Sequence, residues 1–258
     1  MTTSEPQRAA PVIEMEDVAA NAIDPARGVV ARHIHWTVNP GDYWAVAGLQ
    51  GSGKSDFLLM AGGVTAPRDG RYRLFGEEMP IFDSDRLPQR LRLGLVFDGG
   101  QLFNHLTVRE NVALPLRYHR DLSAAQAAPE VQTMLEWLEL VPWADRTPGG
   151  MGRNWRKRAG LARALMLRPE VLLVDDPLAG LDFRHATWWL DFLEQLSKGH
   201  SFNRGQPMTL VISTSDLRPW KGRARQFAVL KNERLTVLGE WARVEAGGLA
   251  GELYKGTE

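Results

Sequence analysis

The sequence predicts an α/β fold: a mostly parallel sheet with an antiparallel edge and an inserted helical subdomain. Three observations predict it. Four runs, Tyr43–Ala47, Leu95–Phe97, Val171–Val174 and Leu210–Ile212, are short and continuously apolar, the pattern of parallel strands covered on both faces. Between and after them apolar residues recur at helical spacing, as Val131, Met134, Leu135 and Leu138 and again as Trp189, Phe192, Leu193 and Leu196. Ile34, Trp36 and Val38 alternate with His33, His35 and Thr37, the period of a half-buried strand, which places the antiparallel edge here.

In chain order, residues 1–11 are mostly polar and bracketed by Pro6 and Pro11, so a loose tail is expected. Residues 12–258 are expected to form one domain. Its core comprises 12–97 and 166–258, interrupted by a helical subdomain over about 98–165, where Pro and Gly breaks and the first amphipathic helix occur without a strand signal. Residues 197–209 read as a polar loop. Phe227–Leu230 and Arg234–Leu238 flank Lys231, Asn232 and Glu233 as a closing hairpin.

Composition narrows the function classes. Lys+Arg and Asp+Glu balance at 31 each, so the chain lacks the positive field of a nucleic-acid protein and no nucleic-acid partner is expected. No apolar run approaches the ~20 residues that span a bilayer, and the first residues lack the apolar stretch of a signal peptide. The absence of cysteine excludes thiol catalysis, thiolate metal sites and disulfides, and fits a reducing compartment.

Gly48-Leu49-Gln50-Gly51-Ser52-Gly53-Lys54-Ser55 fits G-x-x-x-x-G-K-[ST], and it follows an apolar strand and precedes the helical run Phe57–Ala61. The glycines let consecutive N–H groups turn around phosphate oxygens, the helix N-terminus adds its dipole, Lys54 reaches the β and γ phosphates, and the Ser55 hydroxyl suits Mg²⁺. The motif implies a P-loop nucleoside-triphosphate hydrolase fold with a nucleoside triphosphate and Mg²⁺ as ligands. Asp175, at the end of the run Val171–Val174 and followed by Asp176 and Pro177, is the second metal-side candidate. A capped turn would give the same local text.

From about Ile13 to the closing hairpin the chain resembles the ATP-binding subunit of ABC transporters. The resemblance rests on Leu58–Gly62, Pro67–Gly70, Leu74–Gly76, Leu102–Val112, Ala159–Leu165, and Ala179-Gly180-Leu181-Asp182 at the family's D-loop. Phe97–Phe103 with Asn111–Leu116 is also similar to Mla-type subunits, which serve MCE-protein lipid transporters. The resemblance implies the ABC ATPase architecture and a peripheral position on the cytoplasmic face of the inner membrane. It also implies membrane permease subunits, a second ATPase subunit (identical or different), and MCE-type lipid-binding proteins as partners for a lipid or other hydrophobic substrate.

The chain departs from the family where the family hydrolyses ATP. Aligned without gaps, the signature Leu-Ser-Gly-Gly-Gln falls on Met151, Gly152, Arg153, Asn154 and Trp155; Pro148-Gly149-Gly150 is a shifted alternative requiring an insertion. The glutamate after the Walker B aspartate falls on Asp176, the H-loop histidine on Ser215 and the Q-loop glutamine on Asp98, with Gln101 three residues on. The adenine-stacking aromatic falls on Ala22. A hydroxyl cannot do the work of an imidazole, and lost acid–base groups cost ~10²–10⁴ in rate, so ATP binding with weak or absent hydrolysis is expected. The alternative is a functional but slow transport ATPase. A small-molecule kinase would need an acceptor site, which the sequence does not display, and a GTPase would need N-K-x-D, which is absent.

Three further features have plain readings. Arg153–Arg158 is basic with an interleaved Trp155 and reads as a solvated helix face. His33 and His35 share a strand face without a third ligand at suitable spacing. Of Trp188 and Trp189, one ring is expected to pack inward.

Overall fold

The computed structural model describes residues 10–78 and 84–246. Residues 1–9 of the expected tail lie outside the described residues, and so does the expected end of the core from 247. The chain forms β1 (Ile13–Asn21), β2 (Val29–Val38), β3 (Tyr43–Ala47), α1 (Lys54–Ala61), β4 (Asp69–Leu74), β5 (Glu77–Glu78), α2 (Leu87–Leu91) and β6 (Leu93–Val96). It continues with α3 (Val108–His119), α4 (Ala124–Trp137), α5 (Arg153–Leu165), β7 (Val171–Val174), α6 (Phe183–Lys198), β8 (Thr209–Thr214), β9 (Gln226–Lys231), β10 (Arg234–Gly239) and α7 (Trp241–Ala246).

Among the described residues the strands make one sheet in the order β5-β4-β1-β2-β10-β9-β3-β8-β7-β6. The four apolar runs are β3, β8, β7 and β6, and each is parallel to its neighbour. β3 and β7 are buried throughout. The closing hairpin is β9 and β10, paired antiparallel.

The antiparallel strands gather on one side, with β1 between β2 and β4. The placement of Ile34–Val38 at the edge is corrected: β2 is an interior strand with β1, β4 and β5 outside it. The reason is local. The register of β1 slips between Met15 and Val18, and Asp17 sits at φ 53°, so a bulge breaks the alternation that marks a strand. In β4 only Tyr72 and Leu74 are buried. His33 and His35 of β2 are exposed, with ring nitrogens 2.7 and 3.9 Å from an Asp17 oxygen across the bulge. They gain a partner that spacing did not reveal.

Alternation along β3 divides the interior in two. Trp44 and Val46 join α1 and the antiparallel strands on one face. Tyr43, Ala45 and Ala47 face the other core with α3–α6, so the inserted helices share apolar packing with the sheet. Residues 98–165 contain helices and no strand among the described residues. α3 and α4 each begin with a capping box, Thr107 with Glu110 and Ser123 with Gln126.

α5 overturns the solvated-face reading of Arg153–Arg158. The Lys157 and Arg158 side chains are only 1% and 2% exposed, because acceptors and rings meet them inside. Lys157 Nζ donates to the carbonyls of Asp176 at 2.7 Å and Ala179 at 3.1 Å. Arg158 bonds Glu139 at 2.7 Å and lies 3.5 Å from the Trp188 ring centroid, a cation–π contact. Trp189 is wholly buried, and Trp188 stacks on Phe192.

Candidate functional site

The loop between β3 and α1 is built around a left-handed residue. Gly53 has φ +90°, and a Cβ there would lie 2.5 Å from Val30 Cβ, so only glycine fits. No side chain caps α1, which leaves the first-turn N–H groups for an anion. Ser52 Oγ is buried without a partner. Lys54 is buried, and its Nζ donates to the carbonyls of Gly48 at 2.6 Å and Leu49 at 2.9 Å. Burial pushes its proton affinity down, against the pull of Asp176 and Asp175.

Asp56 and Arg27 brace this loop. Asp56 accepts from Ile23 N at 2.8 Å and Arg27 Nη1 at 3.3 Å, while Arg27 Nη2 donates to Gly51 O at 2.7 Å. Their sequence separation carries no signal of the contact.

The end of β7 brings the acids in. Ser213 of β8 donates to Asp175 Oδ1 at 2.6 Å and accepts from Asp176 N at 3.0 Å, so it fixes both. Sequence reasoning missed Ser213 because a hydroxyl inside an apolar strand has no motif. Asp176 holds φ 37°, a conformation that favours glycine. Burial raises its carboxyl above the ordinary range, opposed by Lys157 and Lys54 and reinforced by Asp175 and Asp98.

The loop after β6 closes against α5. A Cβ on Gly100, at φ +83°, would lie 2.1 Å from Arg156 O, so backbone meets backbone there. This approach sets Asp98 beside two cations, with Oδ2 2.5 Å from Arg153 Nη2 and Oδ1 2.9 Å from Lys157 Nζ. Burial alone would raise the Asp98 carboxyl, but hydrogen bonds and charge from Lys157 and Arg153 hold it below its usual value.

These parts border one cavity of about 450 Å³. Gln50, Gly51, Lys54 and Ser55 come from the phosphate loop, Asp175 and Asp176 from the end of β7, and Asp98, Ser215 and Arg153 from the surrounding loops and α5. A neighbouring cavity shares Ser55, Asp98 and Asp175 and adds Gln101 and Ile23. Gln101 therefore stands near the candidate metal side, as its sequence position left open. Ala22 is buried and offers no stacking face, whereas Ile23 is 59% exposed.

Of the five residues at the signature position, the cavity receives Arg153 alone. Met151 and Asn154 are buried. Asn154 bonds His185 and Trp189, and Trp155 packs on Trp143 and His185. Gly152 caps α5 without a side-chain bond. Asp182 caps α6 by accepting from His185 N and does not line the cavity. Met151, Asn154 and Trp155, which stand where the family's signature would be, are thus packed within this chain.

The donor set fits a hydrated divalent cation shared with phosphate. The Ser55 hydroxyl and the Asp175 carboxylate supply hard oxygens. Among the described residues no group of three or more His, Cys, Asp or Glu could hold a metal ion.

Comparison with known proteins bears on the family and the fold. The family model of the ABC transporter matches residues 31–179. The chain is 30% identical over 234 residues to the methionine import ATP-binding protein MetN 2 of Salmonella typhimurium, covering 89% of this chain and 67% of that protein. It is 28% identical to MetN of Lacticaseibacillus paracasei over 90% of this chain and 65% of the relative. Against the sulfate/thiosulfate import ATP-binding protein CysA of Nephroselmis olivacea the identity is 32%, over 80% and 57%. The chain thus spans about two thirds or less of the length of these relatives. In fold it is similar to a dimeric ATP-binding cassette in a post-hydrolysis state bound to ADP and Pi, with TM-score 0.75, 24% identity, and 86% and 96% of the two chains covered. CbiO1 of Clostridium perfringens, part of the ABC transporter complex cbiONQ, gives TM-score 0.75 at 22% identity over 92% and 91%.

Proposed function

Because the chain belongs to the ABC transporter family of ATP-binding domains, we propose that it binds Mg²⁺–ATP around Lys54 and hydrolyses it weakly or not at all, serving a membrane transporter. The single observation that carries the reading is the convergence of the phosphate loop, Ser55, Asp175 and Lys54 on one cavity.

Each residue has a role in that reading. The loop N–H groups and Lys54 hold the phosphates, with Lys54 exchanging its carbonyl partners for phosphate oxygens. Ser55 and Asp175 would hold Mg²⁺, which when bound neutralises phosphate charge. Asp176 is the remaining general-base candidate. Its carboxylate is one methylene shorter than the family's glutamate, and the left-handed backbone and the bond to Ser213 fix its base. Ser215 supplies a hydroxyl where an imidazole would bridge water and phosphate. The retained carboxylate of Asp176 favours a second reading, a slow transport ATPase.

In the assembly we assign, the chain lies peripherally on the cytoplasmic face of the inner membrane with permease subunits and a second ATPase subunit. Among the described residues no helix is long and apolar enough to cross a membrane. The division into a core of 12–97 and 166–258 with a helical subdomain of 98–165 is supported by the placement of α3–α5. Phe97–Phe103 and Asn111–Leu116 support a lipid or other hydrophobic substrate with MCE-type partners.

Titration of the purified chain with Mg²⁺–ATP, alongside phosphate release, tests the site. Saturable binding abolished by Lys54→Ala, with little or no turnover, is expected. No binding at millimolar ATP refutes the nucleotide reading, and turnover lost in Lys54→Ala favours the slow enzyme.

A further inference from the structure

Arg153 opens α5, and its side chain is 44% exposed. It stands at the position that the family resemblance assigns to the opposite subunit's nucleotide, yet it borders the cavity of its own chain with Lys54, Asp175 and Asp176. Its present partner is Asp98, which also has Lys157 at 2.9 Å. Departure of Arg153 would therefore leave that carboxylate paired. A half-exposed ion pair is weak in water, so little holds the guanidinium to Asp98. Gly180 lets the arm lie close, since a Cβ there would be 3.3 Å from Arg153 Cδ.

Negative charge already gathers in the cavity, where Asp98, Asp175 and Asp176 face Lys54 and Arg153, with Lys157 beside Asp98. A triphosphate adds more, and a guanidinium fork matches phosphate oxygens better than any other side chain. We propose that Arg153 is a specificity-determining residue that reads the terminal phosphate within its own chain, exchanging Asp98 for γ-phosphate oxygens when a nucleoside triphosphate binds. A diphosphate lacks those oxygens and leaves Arg153 on Asp98. The inference rests on the cavity being a nucleotide site and adds how that site tells triphosphate from diphosphate.

Calorimetric titration of the full chain with Mg²⁺–ATP and Mg²⁺–ADP tests it, using wild type, Arg153→Ala, Arg153→Lys and Asp98→Asn. Arg153→Ala is expected to weaken ATP binding about tenfold to a hundredfold, the loss of a charge-assisted hydrogen bond, and to change ADP binding less than about threefold. Arg153→Lys restores part of the ATP affinity, and Asp98→Asn tightens ATP more than ADP. Equal weakening of both nucleotides, or unchanged ATP affinity in Arg153→Ala, overturns the role of Arg153 while leaving the site intact. Wild type binding neither nucleotide overturns the site reading and this inference together. Melting curves separate misfolding from a binding defect, and Arg153→Lys retains the charge and helix start if the alanine variant is unstable.

Discussion

Replacing Lys157 with Met keeps the length of the side chain and removes a buried ammonium that joins α5 to the turn after β7. The carbonyls of Asp176 and Ala179 lose a donor, and so does Asp98. A buried acceptor left without a partner costs ~1–3 kcal/mol. Asp98 keeps Arg153 and is half-exposed, so its share is screened and the two carbonyls dominate. Burial lowers the Lys157 pKa, so the variant also escapes a desolvation cost. The net loss is about 2–3 kcal/mol, which at ~2–4 °C per kcal/mol lowers Tm by roughly 4–12 °C.

Urea unfolding with an unchanged slope measures the free energy, and thermal melting checks it. The pH dependence supplies a second readout. Since the folded state holds this proton less tightly than the unfolded chain, wild-type stability rises with pH between the lowered value and the ordinary lysine range. Lys157→Met lacks that contribution. A Tm within 1 °C of wild type, or an unaltered alkaline rise, refutes the reasoning.

Gly53→Ala forces a side chain into φ +90° against Val30; strain of about 1–3 kcal/mol and loss of nucleotide binding are expected in paired melting and titration experiments. Asp176→Asn removes a carboxyl whose pKa burial raises, and asparagine tolerates left-handed backbone. Wild type binds more protons folded than unfolded as pH climbs through the carboxylate range and loses stability there, so the variant melts higher at pH 7, with this advantage vanishing in acid; a lower melting point at pH 7 contradicts this. Trp189→Ala empties a fully buried site and releases Asn154, and urea unfolding should register a loss of ~3–5 kcal/mol.

The parallel strands were legible because burial on both faces leaves an uninterrupted apolar run, as at Tyr43–Ala47 and Val171–Val174. β1 was not, because the bulge at Asp17 moves its apolar residues off a single period. The site followed a similar division. Lys54, Ser55, Asp175, Asp176, Asp98 and Ser215 meet in one cavity, since the acids and Ser215 follow strand ends that the sheet brings together and Lys54 and Ser55 open the helix after β3. Lys157 and Arg158 were misread because helical spacing says which residues share a face and nothing about what that face meets. Ser213 and the Asp56–Arg27 brace depend on contacts between distant segments, which one sequence does not encode in a local pattern. Arg153 was assigned by alignment to a partner's site, and only the approach of Gly100 to α5 places it beside its own chain's phosphate loop.

The most direct measurement mixes the protein, saturated with radiolabelled Mg²⁺–ATP, with excess unlabelled ATP and follows the bound label. Stoichiometric retention of the label at first, and its recovery as intact ATP while it dissociates, is the expected outcome. Conversion of the bound label to ADP at ordinary enzyme rates, ~1–10³ s⁻¹, would contradict it.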